Sequence, residues 1–480
     1  MFSLTQQTGP GVSRRELLKI GGLALGGLTL PGLLARQAAA AQNPLGLSGK
    51  SVVLLFLQGG PPQVETFDPK AGAPSDYRSM TGETQTALPG ITFGGTLPKI
   101  AARADRLAVV RNFGAGKGGL SHEAGYDRIL RGGDNEFEAP MGALFARAGR
   151  SLNPKTGVPT NAILLPEAID PEIKLGNPSG AFTYQQTRRY FAHSGTLGSE
   201  YTPFDPSGGG PLLENMDLNL PRGRFEDRRL LLEQLDGIRR RIDSDPAVQA
   251  SDAVRLQAYE VLARGISQAF DLSQEDPRTL AAYDTSHFVP LKRIRRGGSQ
   301  YWNNFNRTTN LLGKQMLLAR RLCEAGCGLV TVVDSCWDFH DDGNNPPVDV
   351  GMNVLSPQLD HAVTAFLEDL EARGLSDDIL LIVTAEMGRT PRKGSRGGTG
   401  HWGDLTPLLL AGGGLKMGQV IGASDRLGAY PAEEPYGPEN LLATVFHTLF
   451  DVGEVRLRGD LPTALLNLIT TGRPIGELHG

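Results

Sequence analysis

Acidic and imidazole side chains stand next to three predicted strands of this sequence. Asp338 and His340, separated by one residue, follow one apolar run, and Glu386 follows the next. His401 precedes the run after that. An Asp and a His spaced in this way can bind one ion if the loop turns both side chains inward. A carboxylate and an imidazole from neighbouring strand ends would complete a donor set suited to zinc, manganese or a similar divalent ion. The alternative is that these side chains hydrogen-bond to backbone groups at the strand ends.

Six apolar runs are predicted to be the strands that position these side chains. They are nearly continuous and rich in leucine and β-branched residues, which is typical of strands covered on both faces. The runs span residues 51–57, 107–110, 162–165, 328–333, 379–384 and 405–411. Helical patterns lie between several of them, at residues 307–325, 356–373 and 438–450. The alternation predicts an α/β protein with a mainly parallel sheet, whose ligands bind at the carboxyl ends of the strands.

The middle of the chain has a different pattern. Residues 222–243 and 247–270 are charged and helical in period. We predict a helical insertion over about residues 195–305 that covers one side of the sheet. Its arginines are interleaved with acidic residues, which favours a solvated helix face over a binding surface.

The beginning of the chain has the three parts of a secretory signal. Arg14 and Arg15 stand directly ahead of an uncharged, moderately apolar stretch, and a run of alanines follows. The paired arginine marks the twin-arginine (Tat) version of such a signal. We therefore expect residues 1–41 to be a Tat signal peptide and residues 42–480 to be exported to the periplasm or another extracytoplasmic location. The alternative is a basic tail beside a buried helix.

Composition restricts the classes of partner. The chain has 48 basic and 52 acidic residues, a formal charge of −4. The lack of a broad basic excess predicts no nucleic-acid partner. No apolar run after the leader is long enough to cross a bilayer, so we expect no membrane span after cleavage.

Cys323, Cys327 and Cys336 are too few for a disulfide framework and are predicted to be small buried residues.

Several short motifs occur in an order that resembles a known family. They are Gly59-Gly60-Pro61 with Thr66-Phe67-Asp68-Pro69-Lys70, Trp337-Asp338-x-His340, Thr384-x-Glu386-x-Gly388-Arg389-Thr390-Pro391, and His401-Trp402. Together they resemble the Tat-exported family called domain of unknown function 1501, from the leader to about Asp425. That family looks like a branch of the alkaline phosphatase and sulfatase superfamily.

The resemblance implies a fold and a site. The implied fold is an alkaline phosphatase-like three-layer α/β sandwich with one or two divalent metal ions at the strand ends. It further implies that Asp338, His340 and His401 form one metal site. Glu386 stands where an acidic ligand of a second metal site would be.

The second metal site departs from the superfamily's pattern. Met387 occupies the place where the superfamily usually has a ligating histidine. Gln63 and Glu65 stand where the family commonly has the His and Asp of Ser-His-x-Asp. Glu65 could still bind a metal, whereas an amide replaces an imidazole poorly. The second site is therefore incomplete.

The position of a nucleophile departs as well. In sulfatases the nucleophile lies ten residues ahead of a helix-ending glycine, and counting back from Gly132 leads to His122. Ser121 is adjacent. Neither position offers an evident nucleophile at a helix start, so Ser121 and His122 are only candidates for a nucleophile or an acid/base pair.

Two functions follow from these residues. The first is a metal-dependent hydrolase of an anionic phosphate or sulfate ester, in which the metal polarises the ester or activates water. Arg389, with Arg392, Lys393 and Arg396 in the same loop, could hold the anionic group, or this loop is simply a solvated basic segment. The second is a superfamily member that has lost turnover and binds an envelope polymer or a partner. The sequence names no protein partner.

Overall fold

A computed structural model describes residues 45–170, 184–206, 267–289, 308–343 and 345–479. The predicted signal peptide, residues 1–41, lies outside them. The strands are β1 Ser51–Leu57, β2 Glu83–Gln85, β3 Thr92–Gly94, β4 Ala108–Val110, β5 Asn161–Leu164, β6 Leu329–Asp334, β7 Ile379–Thr384, β8 Gly388–Arg389, β9 His401–Trp402, β10 Leu408–Gly412 and β11 Gln419–Ile421.

Seven of these strands form the central sheet, in the order β11-β4-β10-β7-β1-β6-β5. β1 pairs in parallel with β6 and β7, β5 with β6, and β11 with β4. β10 runs antiparallel to both of its neighbours, β4 and β7. The other six strands therefore share one direction. The mainly parallel sheet predicted from the apolar runs is confirmed.

Helices cover both faces of this sheet. They are α1 Pro98–Ala101, α2 His122–Arg131, α3 Met141–Ala148, α4 Tyr184–Phe191, α5 Ser267–Phe270, α6 Pro277–Ala282, α7 Leu312–Glu324, α8 Val348–Arg373, α9 Pro438–Leu449, α10 Val452–Val455 and α11 Thr463–Thr470. Alternate residues of β1 enter two different hydrophobic clusters. Val53 and Leu55 pack with α7 and α8, whereas Leu54 and Phe56 pack with α2, α3 and α9. The result is a three-layer α/β fold, as predicted.

Two element boundaries differ from the sequence prediction for physical reasons. The strand expected over 405–411 begins only at Leu408, directly after Pro407, which lacks a backbone N–H for the ladder. The helix expected from residue 356 begins at Val348 and continues through Pro357. Its extra turns bury Met352 and Leu355, and this packing offsets the hydrogen bond that proline cannot make.

The predicted helical insertion is described only in part. Its two predicted helices lie outside the described residues, apart from the segment that forms α5. Within the part that is described, Phe204 makes a single bridge to Ala162 beside β5. Glu275 forms ion pairs with Arg320 of α7 at 2.9 Å and Arg373 of α8 at 3.2 Å, which fix this segment to one helical layer. The division at about residues 195–305 stays a prediction.

Two further expectations concern cysteines and membrane spans. All three cysteines are buried, as predicted, and burial raises the pKa of Cys323 to about 12. Among the described helices, none combines the length and the apolar character that crossing a bilayer requires.

Candidate metal centre

The loops that carry the candidate residues meet at one edge of the central sheet. β7, β1 and β6 are parallel neighbours, so the segments that follow them leave the sheet side by side. Because β10 is antiparallel, the segment that precedes it arrives at the same edge and brings His401 with it. The topology therefore brings together the segments carrying Asp338, His340, Glu386 and His401.

Gly59, just after β1, allows these loops to approach one another closely. Its φ of +122° is one that residues with a side chain rarely adopt, and a Cβ atom here would lie 2.5 Å from the backbone nitrogen of Asp338. Its own N–H donates to Glu386 Oε1 over 2.8 Å. The turn after β1 thus connects the loop after β6 to the loop after β7.

Three imidazoles and one carboxylate converge at this edge. His122, Asp338, His340 and His401 each offer one ligand atom, and these atoms all lie within 4.8 Å of one another. His340 Nε2 lies 2.9 Å from His401 Nε2 and 2.9 Å from Asp338 Oδ1. His122 Nε2 lies 3.6 Å from Asp338 Oδ2, and His401 Nε2 lies 3.8 Å from Asp338 Oδ1. We refer to these four residues as the His₃Asp cluster.

The spacing of the His₃Asp cluster fits a divalent ion. Ligands about 2.0–2.2 Å from a tetrahedral ion lie roughly 3.3–3.6 Å from each other. The three separations between Asp338 and the histidines, 2.9, 3.6 and 3.8 Å, bracket that range, and all four ligand atoms lie within 4.8 Å of one another. Nitrogen and oxygen donors of this kind suit zinc and similar divalent ions. The residues present therefore fit the predicted metal, without fixing its identity.

His401 is oriented by a hydrogen bond on the far side of its ring. Its Nδ1 lies 2.6 Å from the carbonyl oxygen of Leu120, which only accepts, so Nδ1 carries the proton. Nε2 is then the nitrogen with a free lone pair, and it faces the cluster. Metal-binding histidines characteristically have their other nitrogen fixed in this way.

His122 is oriented in the same manner by a carboxylate. It begins α2, whose first turn is capped by Ser121 Oγ, the acceptor of the Ala124 N–H at 3.2 Å. His122 Nδ1 lies 2.7 Å from Glu386 Oε1 and therefore donates to it, which turns Nε2 toward Asp338. A Cβ atom on Gly125 would lie 2.7 Å from the Glu386 carbonyl, so this glycine lets α2 pack directly on Glu386.

The electrostatics of the cluster favour a bound cation. Burial lowers the pKa of His122, but Asp338 and Glu386 outweigh burial and raise that pKa to about 9. Burial raises the pKa of Asp338, but Arg389 and the three histidines hold it well below its usual range. Glu386 Oε2 is buried and has no hydrogen-bond partner in the described residues. Two buried carboxylates thus attract positive charge, which a metal ion supplies as well as a proton does.

The structure brings some predicted site residues together and assigns others elsewhere. Asp338, His340 and His401, predicted to share one site, belong to the His₃Asp cluster, and Glu386 contacts it through His122. His122, predicted only as a nucleophile or acid/base candidate, lies among the ligands. Ser121 is exposed and its hydroxyl caps α2, so it is not aimed at the cluster.

Glu65 does not join the cluster, contrary to its prediction as a metal ligand. Its carboxylate accepts hydrogen bonds from Ser79 Oγ, Met80 N and Thr81 N at 2.7, 2.6 and 3.1 Å. Glu65 ends the short 3₁₀ helix Gln63–Glu65, and its side chain points toward the segment that carries Ser79, Met80 and Thr81. Gln63 instead uses its amide to hold the backbone of Arg389.

Arg389, predicted to hold the anionic group of a substrate, is buried. Its side chain is 0% exposed, and its guanidinium contacts Asp338 and the carbonyl oxygens of Gly59 and Gly60. In the loop beyond it, Arg392 is exposed and 3.7 Å from Asp76. For Arg392, the alternative of a solvated basic loop fits better.

Comparison with known proteins identifies a family. A model described as "Protein of unknown function (DUF1501)" matches residues 49–454 of this chain. No curated protein matches the sequence.

Several solved structures are similar to this chain at low identity. The PsFucS1 sulfatase from Pseudoalteromonas sp. is 12% identical, with a TM-score of 0.32 over 83% of this chain and 69% of that one. The lipoteichoic acid synthase LtaP from Listeria monocytogenes is 9% identical, with a TM-score of 0.33 over 90% and 81%. The phosphonate monoester hydrolase from Silicibacter pomeroyi is 12% identical, with a TM-score of 0.26 over 89% and 78%. Likeness at this level does not establish a shared function.

Proposed function

This chain belongs to the DUF1501 family, and we propose that it is an exported, metal-dependent hydrolase of phosphate or sulfate esters. The observation that carries the proposal is the His₃Asp cluster, four ligand atoms within 4.8 Å at the carboxyl edge of a parallel sheet. Two of its imidazoles are fixed from behind, His401 by Leu120 and His122 by Glu386. Metal-binding histidines characteristically have their other ring nitrogen fixed in this way.

The charges around the cluster favour an anionic substrate. When the three histidines are neutral, as metal binding requires, Asp338 and Glu386 contribute two negative charges and Arg389 one positive charge, so the protein supplies −1. With a divalent ion the site would have a charge of +1. Such a site attracts an anionic ester more strongly than a neutral one.

Water is the proposed nucleophile, because the hydroxyl of Ser121, the candidate next to His122, is exposed and caps α2. When bound, a divalent ion would supply Lewis-acid polarisation of the ester and activation of water. The oxygen of water attacks phosphorus or sulfur, the ester bond to the alcohol oxygen breaks, and the alcohol leaves with a proton. The three imidazoles and Asp338 keep the reacting groups in place.

Export is the second part of the proposal. It rests on Arg14 and Arg15 ahead of a moderately apolar stretch, which is the arrangement of a Tat signal. The proposed location is the periplasm or another extracytoplasmic site. Tat transport of a folded chain agrees with a centre that needs its metal and its fold together.

The test combines metal analysis with an ester screen on the natively exported protein. Bound zinc and manganese are measured by plasma mass spectrometry, and aryl phosphates and aryl sulfates are tested for turnover. We expect a bound divalent ion, hydrolysis of one ester class, loss of turnover on chelation and its return when the ion is restored. Protein without a divalent ion and without turnover would contradict the proposal.

A binding protein without turnover is the second candidate. It is favoured by Ser121, whose hydroxyl caps α2, and by Met387, which is buried where a ligating histidine was expected. In the same experiment, a bound ion with no turnover on either ester class supports this candidate over the hydrolase.

A further inference from the structure

We propose that Arg389 is a built-in second cation of the metal centre, so that the His₃Asp cluster binds one divalent ion and not two. This inference rests on the proposed metal centre. Its subject is a side chain that is fully buried and positively charged. A buried guanidinium needs partners for its donors, and two of the partners here, Asp338 and His340, belong to the metal centre.

The guanidinium lies directly against the cluster. Arg389 Nη2 forms an ion pair with Asp338 Oδ1, and Nη1 lies 3.2 Å from His340 Nε2. Nη2 also donates to the carbonyl oxygen of Gly59, and Nε donates to that of Gly60 over 2.7 Å. Arg389 therefore lies between the turn after β1 and the loop after β6, against the side of Asp338 that faces that turn.

The backbone of Arg389 is held so that the guanidinium stays in this position. Gln63 Oε1 accepts from the Arg389 N–H over 2.9 Å, and Gln63 Nε2 donates to the Arg389 carbonyl over 2.9 Å. Arg389 is also the partner of His401 in the β8–β9 ladder. One short ribbon thus positions both a ligand of the cluster and the cation beside it.

The guanidinium already pairs with a carboxylate that a second divalent ion would need. Two-metal sites hold their ions about 3.5–4 Å apart and rely on carboxylates to offset the charge. In the described residues, the carboxylates that contact the cluster imidazoles are Asp338 and Glu386. Arg389 already neutralises one of these two negative charges. One divalent ion then more than neutralises the site, and a second would be repelled by both cations.

The experiment measures metal stoichiometry and affinity, independently of turnover. Apo-protein is titrated with Zn²⁺ and with Mn²⁺, and bound metal is counted by plasma mass spectrometry. Wild type should bind one equivalent. Arg389→Gln should bind a second equivalent, or bind the first about tenfold more tightly, because a negative charge is no longer neutralised. Arg389→Lys keeps the charge and should stay at one equivalent. Arg392→Gln, which changes an exposed cation of the same loop, is the matched control.

The outcomes separate this inference from the proposed function. Two equivalents in wild type, or an Arg389→Gln variant that is folded by circular dichroism and binds metal as wild type does, would overturn the inference and leave the hydrolase intact. No metal in wild type would overturn both. If Arg389→Gln does not fold, the wild-type count and the Arg389→Lys variant decide: one equivalent in each supports the inference, and two in either overturns it.

Discussion

His122 Nδ1 donates a hydrogen bond to Glu386 Oε1 over 2.7 Å, although 264 positions separate the two residues in the sequence. The backbone N–H of Gly59 donates to the same oxygen over 2.8 Å. Glu386 therefore orients a ligand of the His₃Asp cluster and is itself held in place. A carboxylate behind a ligating imidazole fixes the ring and makes it a stronger donor to the metal.

Glu386→Gln should lower the affinity for the divalent ion about 10–100-fold, the usual effect of losing such a carboxylate. The amide is similar in shape but has no charge to strengthen the donor nitrogen of His122. Titration of apo-protein with Zn²⁺ measures the effect. Glu123→Gln, an exposed change on α2, the helix that begins with His122, is the control. Equal affinities for Glu386→Gln and wild type would show that Glu386 has only a packing role.

His340→Ala should reduce metal occupancy more than Glu386→Gln does, because it removes a ligand and not the support of one. His340 Nε2 lies 2.9 Å from both Asp338 Oδ1 and His401 Nε2. Metal content of the purified variant, measured beside wild type, tests this. His287→Ala alters an exposed histidine and should leave the metal content unchanged. Full occupancy in folded His340→Ala protein would exclude the proposed ligand set.

The parts of the structure that depend on local patterns were predictable from the sequence. β1 and β7 begin and end where their apolar runs do, since both faces of each strand are buried. The arrival of Asp338, His340 and Glu386 at one edge also followed, because parallel strands end at the same edge of the sheet. His401 reaches that edge because β10, which it precedes, is antiparallel. Both predictions need only the periodicity of the chain and the order of its motifs.

Contacts between distant elements were not predictable in the same way. His122 joins the ligands because α2 packs on Glu386, and that packing depends on the missing side chain of Gly125. Arg389 lies in a glycine-rich, polar segment that favours exposure, yet the Gln63 amide holds it inside. A sequence pattern gives the period and polarity of a segment but not which distant side chain will satisfy its polar groups.

Replacing Arg14 and Arg15 with lysine should leave the precursor in the cytoplasm, because a Tat signal is recognised by its paired arginines. The measurement is the distribution of the protein between cytoplasmic and periplasmic fractions. Arg36→Lys, beyond the apolar stretch, keeps the pair and should be exported as wild type is. Normal export of the double variant would show that the chain uses a different route.

Asp334, the last residue of β6, makes the stability of the fold depend on pH. Burial raises the pKa of its carboxyl to about 7, although the hydrogen bond from Trp337 Nε1 at 2.9 Å opposes the increase. The unfolded chain has the ordinary value of 3.8. Between pH 3.8 and about pH 7, the folded protein therefore keeps a proton on Asp334 that the unfolded chain has released. The stabilisation that this burial of a neutral carboxyl contributes is complete below the unfolded pKa of 3.8. It is lost as the pH rises through the folded pKa of about 7.

Asp334→Asn should remove this loss, because the amide stays neutral and its oxygen can still accept from Trp337. Each pH unit between the two pKa values corresponds to about 1.4 kcal/mol, so the variant should gain a few kcal/mol over wild type by about pH 8. Urea unfolding of both proteins at pH 5 and pH 8 measures the difference, and the comparison cancels the pH dependence that the histidines contribute to both. Asp377→Asn, at an exposed position, should follow wild type. A variant that loses as much stability as wild type between these pH values would show that Asp334 is already ionised in the folded protein.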